Sequence, residues 1–282
     1  MAGQPEAAAV TAATVPRPLA DWPAESRRAV EVVLADIDDT LTLHGRLPAV
    51  AYAALERLRG AGLKVVPITG RPAGWCDHIA RMWPVDGVVG ENGAFWFRHD
   101  PGRGRLVRRF LADEATRAAN RARLAGLRDR ILAEVPGAAL ASDQLYREAD
   151  LAIDFCEDVP PLGDEAVRRI VALFEEAGAV AKVSSIHVNG WFGSYDKLTM
   201  TRLFLGEALG IDLDAAEPRC VFAGDSPNDA PMFAFFRHGG VGVANVRRFL
   251  SQIATPPAWI TAAEGGHGFA ELADALLAAR GG

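Results

Sequence analysis

The sequence has few cysteines, no long apolar run and no motif typical of a zinc site. Its 282 residues include three cysteines, Cys76, Cys156 and Cys220, which form no CxxC pair. A disulfide framework and a cysteine-based zinc site are therefore not expected, and a reducing, cytoplasmic location fits best. The histidines show neither HxH nor HExxH spacing, so no histidine zinc site is predicted either. Because no run of about 18 apolar residues occurs, the sequence predicts no membrane-spanning helix.

The sequence also lacks an excess of positive charge. It contains 30 lysines plus arginines against 36 aspartates plus glutamates, which gives a formal net charge of −6. This balance provides no general attraction to nucleic acid or to an anionic membrane, so neither is expected as a partner. Half of the residues are hydrophobic, which at this length is enough for one large domain or two smaller ones with a packed core. Nothing in the sequence indicates an oligomeric state.

Short apolar segments alternate with helical patterns in two stretches of the chain. Residues 32–35 and 64–68 form apolar, β-branched runs, and residues 49–59 between them carry apolar side chains at helical spacing. Such alternation is typical of an α/β fold with a parallel sheet, and it returns after residue 196. Between the two stretches, strand patterns arrive in pairs around helices, which predicts an inserted α+β unit. The predicted parts are a flexible extension (residues 1–28), a core (residues 29–94 and 191–282) and the inserted unit (residues 95–190).

Two carboxylates, Asp36 and Asp38, directly follow the first predicted strand. Ligand sites of open parallel sheets lie outside the carboxyl ends of the strands, so both side chains are expected to project into a crevice there. Carboxylates this close raise each other's pKa unless a cation neutralises them, and Mg²⁺ prefers oxygen ligands of this kind. Taken alone, the same pair fits a turn or a helix cap equally well.

The pattern of an apolar strand followed by carboxylates occurs a second time, at Asp225 and Asp229. Thr69 follows another predicted strand and offers a hydroxyl group, whereas Lys197 opens a predicted helix and offers a positive charge suited to a phosphate. A nucleophilic carboxylate, a metal-binding carboxylate, a hydroxyl and a lysine are the groups that catalyse phosphoryl transfer through an aspartyl-phosphate. The combination therefore predicts a phosphoryl-transfer site, although each motif alone is weak.

These motifs follow the order of the four motifs of the haloacid dehalogenase-like (HAD) superfamily, which residues 32–243 resemble. The motifs are Asp36-Ile37-Asp38-Asp39-Thr40, Thr69-Gly70-Arg71, Lys197 and Gly224-Asp225-Ser226-Pro227-Asn228-Asp229. The inserted unit lies between the second and third motifs and resembles the α/β cap of the Cof-type, or IIB, branch. The resemblance implies an α/β fold with a Rossmann-like parallel-sheet core and an inserted α+β cap domain. Asp39 and Leu198 stand where many members have glycine, but neither change removes a catalytic group.

The resemblance also implies a role for each motif residue. Asp36 would attack phosphorus, and Asp38 would act first as general acid and then as general base. Mg²⁺ would be held by the Asp36 side chain, the Asp38 backbone carbonyl and Asp225, with Asp229 orienting a metal water. The phosphoryl oxygens would be held by Thr69, the Gly70 amide and Lys197, and Asn228 would orient the phosphate or its own loop.

Substrate choice is expected to depend on residues around this generic phosphate site. Glu91 and Asn92 resemble the Glu-Asn-Gly element of Cof-type enzymes, which faces the leaving group; a tight turn is the alternative. Arg71 follows the Thr-Gly pair and is expected either to bind a second anion or a sugar hydroxyl, or to form only a surface salt bridge.

A polar stretch just before Lys197 is the second candidate for substrate recognition. Residues alternate there as in a half-buried strand, which places Ser185, His187 and Asn189 on one face. Together with the nearby Trp191, this face would recognise the hydroxyls and the ring of a sugar; a solvated strand face is the alternative.

The sequence thus predicts a Mg²⁺-dependent phosphatase of a small phosphorylated metabolite, with a sugar phosphate as the expected class. A phosphomutase similar to the phosphomannomutases is the first alternative, because it would use the same aspartyl-phosphate. A non-catalytic sugar-phosphate-binding protein is the second, and it would be favoured if a motif carboxylate were missing. Since all four motif carboxylates are present, the phosphatase is preferred.

Overall fold

The computed structural model describes residues 15–184 and 186–281. Residues 1–14 of the predicted extension, and Ser185 of the predicted recognition strand, lie outside the described residues. Within the described part of the chain, no helix is both long and apolar enough to cross a membrane.

The described residues form strands and helices that alternate along much of the chain. The strands are β1 (Arg17–Pro18), β2 (Val32–Ala35), β3 (Lys64–Pro67), β4 (Val88–Gly90), β5 (Phe95–Asp100), β6 (Arg105–Phe110), β7 (Ala139–Leu140), β8 (Leu151–Asp154), β9 (Val180–Val183), β10 (His187–Trp191), β11 (Cys220–Gly224), β12 (Gly240–Gly242) and β13 (Trp259–Ile260). The helices are α1 (Ala24–Ala29), α2 (Ala49–Gly60), α3 (Ala73–Met82), α4 (Glu114–Glu134), α5 (Asp164–Glu176), α6 (Lys197–Phe204), α7 (Leu213–Ala216), α8 (Ala230–Phe235) and α9 (Gly265–Arg280).

A six-stranded parallel sheet forms the centre of the molecule, with the strand order β1-β13-β12-β11-β2-β3. Every residue of β2 and β11 is buried, as expected of central strands covered on both faces. One face of the sheet packs against α2 and α9, and the other packs against α6 and α8. The predicted parallel-sheet core is therefore confirmed, and its two central strands carry the two acidic motifs.

The segment before β2 belongs to this core. Strand β1 pairs with β13, Leu19 is only 2% exposed, and the ring of Trp22 stacks on Trp259 with the ring centroids 5.8 Å apart. The prediction of a flexible extension over residues 1–28 is therefore wrong for residues 17–28. The buried side chains of this segment, Leu19 and Trp22, pack in a core cluster with Trp259 and α9 from the distant end of the chain, so no local pattern predicted their burial.

The inserted unit begins later than predicted. The hairpin of β5 and β6 extends β4 in an antiparallel sheet, and Phe95 and Phe97 pack in the same core cluster as α2 and α9. The predicted boundary at residue 95 is therefore wrong, because the large aromatic side chains of β5 are buried against the core. The inserted unit, called the cap below, starts at α4 and ends with β10 (residues 114–191).

The cap has its own sheet and its own apolar core. Its four strands pair antiparallel in the order β7-β8-β10-β9. Apolar side chains of α4 and α5, among them Ile131, Ile170 and Phe174, pack with Ile153 and Val188 from this sheet. The predicted α+β character of the inserted unit is thus confirmed.

Replacing Leu19 tests whether the N-terminal segment contributes to the core. Leu19→Ala should lower the free energy of unfolding by about 2–5 kcal/mol, because it leaves a cavity in the core cluster that Leu19 shares with Trp259 and α9. Leu145→Ala is the matched control: Leu145 is 93% exposed, so the same change should cost less than about 0.5 kcal/mol. Chemical denaturation of both variants measures the difference, and equal midpoints would show that residues 17–28 are not part of the cooperative fold.

Candidate active site

The carboxyl ends of β2 and β11 bring the two acidic motifs together. The strands are paired in register, with Ala35 opposite Ala223, and the backbone N–H of Asp36 donates to the Ala223 carbonyl at 2.9 Å. Asp36 therefore leaves β2 beside Gly224 and Asp225, at the same edge of the sheet. Parallel pairing of two adjacent strands is the reason that residues so far apart in sequence share one site.

Lys197 joins the two motifs through ion pairs. Its Nζ lies 2.8 Å from Oδ1 of Asp36 and 2.9 Å from Oδ1 of Asp229. The lysine opens α6, whose N-cap residue Asp196 accepts a hydrogen bond from the backbone N–H of Thr199 at 2.7 Å. Burial alone would lower the pKa of Lys197, but Asp229 and Asp36 raise it above its ordinary value. The side chain is therefore a permanent positive charge under the site.

Asp229 also organises the loop after β11. Its Oδ2 accepts the backbone N–H groups of Asp225 at 3.0 Å and of Ser226 at 3.4 Å. A Cβ at Gly224 would lie 2.5 Å from this oxygen, so glycine is required there for the loop to close on Asp229. The same carboxylate thus holds both Lys197 and the loop that carries Asp225.

Asp225 is buried and held by two residues, Thr40 and Asn245, for which the sequence predicted no role. Its Oδ1 accepts the hydroxyl of Thr40 at 2.9 Å, and its Oδ2 accepts Nδ2 of Asn245 at 3.3 Å. Asn245 also donates to the carbonyl of Asp39 at 2.9 Å and so ties the first motif to the fourth. Thr40 is the last residue of the first motif and could have been found by its position, whereas Asn245 lies in a segment without any recognisable pattern.

The three carboxylates fit a divalent cation. Ligand oxygens of Asp36, Asp225 and Asp229 lie within 4.8 Å of one another, and all three residues are buried. Burial raises the pKa of Asp36 to about 7 against the effect of Lys197, with further contributions from Asp229 and Asp38. Burial, Asp229 and Asp36 likewise raise the pKa of Asp225. Because one ammonium group cannot neutralise three buried carboxylates, a metal ion would relieve the remaining repulsion.

Asp38 forms a bidentate ion pair with Arg71. Both Nε and Nη2 of Arg71 reach the Asp38 carboxylate, at distances of 2.8–3.0 Å. The guanidinium group is buried and also lies 3.7 Å from Asp143 and 3.6 Å from Glu157, both of the cap. Of the two expectations for Arg71, the exposed surface salt bridge is wrong, because this side chain connects Asp38 to the cap.

A cleft of about 570 Å³ lies between the sheet edge and the cap. Of the residues predicted from sequence, those that line it are Asp36, Asp38, Gly70, Arg71, Asn92, His187, Asn189, Asp225 and Asn228. Thr69 is fully buried beneath Gly70, and its Oγ1 accepts the backbone N–H of Arg71 at 3.0 Å. The cap adds lining residues that sequence reasoning missed, among them Arg147 and Lys182.

Glu91 does not face this cleft, and its predicted role in substrate binding is wrong. Its carboxylate accepts the backbone N–H groups of Ala73, at the start of α3, and of Glu148 and Ala149 in the cap, at 2.6–3.2 Å. Burial, aided by the charge of Asp150, raises the pKa of Glu91 to about 8 against the opposing effect of Arg147. Glu91 is therefore a hydrogen-bonded link between the core and the cap, formed by residues distant in sequence.

His187 and Asn189 lie on the cleft wall, close to acidic residues of the cap. Nε2 of His187 lies 2.9 Å from the carboxylate of Glu157, and Nδ2 of Asn189 donates to Asp150 at 3.1 Å. Trp191 is buried and stacks on Tyr195, with ring centroids 5.3 Å apart. The expectation that Trp191 stacks on a substrate ring is therefore wrong.

Comparison with known proteins gives the fold a name. No protein-family model and no curated protein matches the sequence. Among solved structures, a Thermoplasma acidophilum protein is 18% identical with a TM-score of 0.67, covering 88% of this chain and 98% of that chain. A Plasmodium vivax protein described as a HAD/COF-like hydrolase is 14% identical with a TM-score of 0.65, covering 91% and 99%. BT1666 from Bacteroides thetaiotaomicron, described among HAD-superfamily phosphatases, is 20% identical with a TM-score of 0.56, covering 89% and 95%.

These similarities show that the chain has the fold of the HAD/COF-like hydrolases, a Rossmann-like core with an inserted cap. The predicted fold class is confirmed. At sequence identities of 20% or less, these similarities establish only the shared fold. The chemistry of this chain depends on its own side chains.

Replacing Glu91 tests its structural role. Glu91→Gln places an amide donor against backbone N–H donors, so we expect the free energy of unfolding to fall by about 1–3 kcal/mol. Glu56→Gln changes an exposed glutamate in the same way and should have almost no effect. Denaturation midpoints and steady-state kinetics of both variants provide the check. An unchanged midpoint together with a raised KM in Glu91→Gln would instead show that Glu91 contributes to substrate binding.

Proposed function

We propose that the protein is a Mg²⁺-dependent phosphatase that hydrolyses a small phosphorylated metabolite through an aspartyl-phosphate. The observation that carries the proposal is the buried group of Asp36, Lys197, Asp229 and Asp225 at the edge of a cleft. This group combines a carboxylate nucleophile, a fixed positive charge and carboxylate oxygens that can bind a metal ion. These are the groups that phosphoryl transfer requires. The HAD-superfamily phosphatase among its structural neighbours supports the same assignment.

Phosphoryl transfer would begin at the Asp36 carboxylate, which lies at the base of the cleft. An oxygen of Asp36 forms a bond to phosphorus while the bond between phosphorus and the leaving oxygen breaks. Lys197 contacts Asp36 directly and favours its ionised, nucleophilic form. The backbone of Gly70 and the side chain of Asn228 line the same cleft and would orient the phosphoryl oxygens. Thr69 would assist through the loop that it supports.

Asp38 would move the protons of both steps. It is partly exposed and lines the cleft two residues after the nucleophile. In the first step a protonated Asp38 donates its proton to the leaving alcohol, and in the second the resulting carboxylate accepts a proton from the water that attacks the phosphoryl group. Arg71 contacts the Asp38 carboxylate directly, so the side chain must leave Arg71 to reach the leaving oxygen in the first step.

Asp36 and Asp225 are the residues proposed to hold Mg²⁺, together with the Asp38 backbone carbonyl. Asp229 would act indirectly, because it is fully buried and does not line the cleft, whereas Asp36 and Asp225 do. When bound, the cation would offset negative charge on the phosphoryl group and on the carboxylates.

A sugar phosphate is the proposed substrate class, since polar cap residues line the cleft opposite the phosphate site. Lys182 provides an ammonium group there, and Asn189, whose Nδ2 donates to Asp150, provides its amide oxygen. A cytoplasmic location remains part of the proposal because all three cysteines are free thiols.

Asp36→Asn tests the proposal. The variant should lose phosphate release from sugar monophosphates by roughly 10³-fold or more, because an amide is a poor nucleophile for phosphorus. Asp129→Asn, on the exposed side of α4, is the matched control and should retain full activity. Inorganic phosphate is measured with Mg²⁺, with a chelator, and with Mg²⁺ restored; chelation should abolish release.

Two outcomes would contradict this account. Undiminished turnover in Asp36→Asn would exclude Asp36 as the nucleophile. Transfer of the phosphoryl group to a second sugar hydroxyl, with no release of inorganic phosphate and a requirement for a bisphosphate, would identify a mutase instead.

A further inference from the structure

A second cavity opens beside the proposed catalytic residues and is unlike the cleft in character. This groove has about 1040 Å³ of empty volume and lies between α3, the loop after β2, and the cap. Its walls include Leu47, Ile79, Trp75, Trp83 and Tyr146. Asp38 and Arg71 line both the groove and the cleft, so the two cavities meet at the proposed general acid.

The exposed aromatic side chains of the described residues concentrate at this groove. Trp75 is 45% exposed and Tyr146 is 59% exposed, and both line it. Tyr52, the third exposed aromatic residue of the described chain, packs edge-on against Trp83, which also lines the groove. Partly exposed aromatic rings beside a polar reaction centre are typical of a surface that stacks on a ligand ring.

Tyr146 of the cap packs closely against α3 at Gly74. A Cβ at Gly74 would lie 2.9 Å from Cβ of Tyr146, so this close approach of the cap to α3 requires glycine. Across the groove, the guanidinium carbon of Arg71 lies 4.5 Å from the ring centroid of Trp75. The aromatic walls are thus joined both to the cap and to the ion pair of Asp38.

The position of Asp38 determines which part of a substrate reaches the groove. A general acid must contact the oxygen that links phosphorus to the leaving alcohol, so the remainder of the alcohol starts at Asp38. On the cap side, Nε2 of His187 lies 2.9 Å from the carboxylate of Glu157, and Nδ2 of Asn189 donates to Asp150. The groove, by contrast, offers apolar surface directly beside Asp38.

We propose that this aromatic groove binds the leaving-group half of the substrate, and that this half contains a ring with an apolar face that stacks on Trp75 and Tyr146. The inference rests on the proposed phosphatase function and narrows its substrate class to phosphate monoesters of cyclic alcohols, such as sugars in their ring form. Short or open-chain phosphates fill the phosphate site but leave the groove empty.

The test compares a ring with the matching open chain. Glucose 6-phosphate and glucitol 6-phosphate share their phosphate and carbon number but differ in the ring. Their affinities are measured by titration calorimetry with Mg²⁺ in the inert Asp36→Asn background, so that binding is read independently of turnover. We expect the ring compound to bind roughly ten-fold more tightly, in line with the strength of an aromatic stacking contact.

Trp75→Ala in the same background should remove this preference while leaving the affinity for the open-chain phosphate within about two-fold. Leu145→Ala, also exposed but outside the groove, is the control and should keep the preference. Equal affinities for both compounds in the Asp36→Asn protein, or an equal loss of both in Trp75→Ala, would overturn the proposal. In the second case Trp75 acts only through Arg71.

The wild-type protein separates this inference from the proposed function. If the ring phosphate binds through Trp75 but no phosphate is released, the proposed phosphatase function is wrong and the proposed ligand-binding role of the groove stands. If both compounds are hydrolysed with the same KM and Trp75→Ala does not change it, the phosphatase function stands and the proposed role of the groove is wrong.

Discussion

The ion pairs of Lys197 with Asp36 and Asp229 are the interaction on which the rest of the site depends. Placing three carboxylates at one buried sheet edge is electrostatically costly. If Lys197 were removed, the buried carboxylates that it contacts would be left with uncompensated charge. Lys197 offsets part of that cost, and Asp229 transmits the constraint to the loop carrying Asp225. Burial, with Asp229 and Asp38, raises the pKa of Asp36 to about 7 against the effect of Lys197, so the lysine offsets only part of the cost.

The parallel register of β2 and β11 makes this arrangement possible. Residues that follow adjacent parallel strands emerge at one edge, and the buried side chains of both strands hold that register. The cap is fastened to the same edge by buried charge: Glu91 accepts backbone N–H groups of both units, and Arg147 donates to the Gly70 carbonyl at 3.1 Å. The core therefore positions the acidic groups proposed to react, and the cap lines the cleft from the opposite side.

The strand ends were predictable because their signal is local. A short apolar run followed by polar residues identifies the end of a buried strand, which was enough to place Asp36, Thr69 and Asp225 at one edge. Lys197 required the order of the motifs, since an isolated lysine at the start of a helix has no specific pattern. The fold class followed from the alternation of strands and helices, confirmed in the parallel sheet.

The errors concern residues whose role depends on distant partners. Glu91 was misassigned because its carboxylate accepts backbone N–H groups from the cap loop at residues 148–149, far from it in sequence. Leu19 was placed in a flexible segment because its burial depends on packing against the distant end of the chain. No role was predicted for Trp75 and Tyr146 for a similar reason. They line one groove only because the fold brings the cap next to α3.

The most direct test of the account is to trap the covalent intermediate. The protein is mixed with Mg²⁺ and a sugar phosphate that it hydrolyses, quenched in acid during turnover, digested, and analysed by mass spectrometry. We predict a phosphoryl group on Asp36 that is absent from the Asp36→Asn protein. Continued hydrolysis with a phosphoryl group trapped on a different residue would contradict the assignment of Asp36 as the nucleophile.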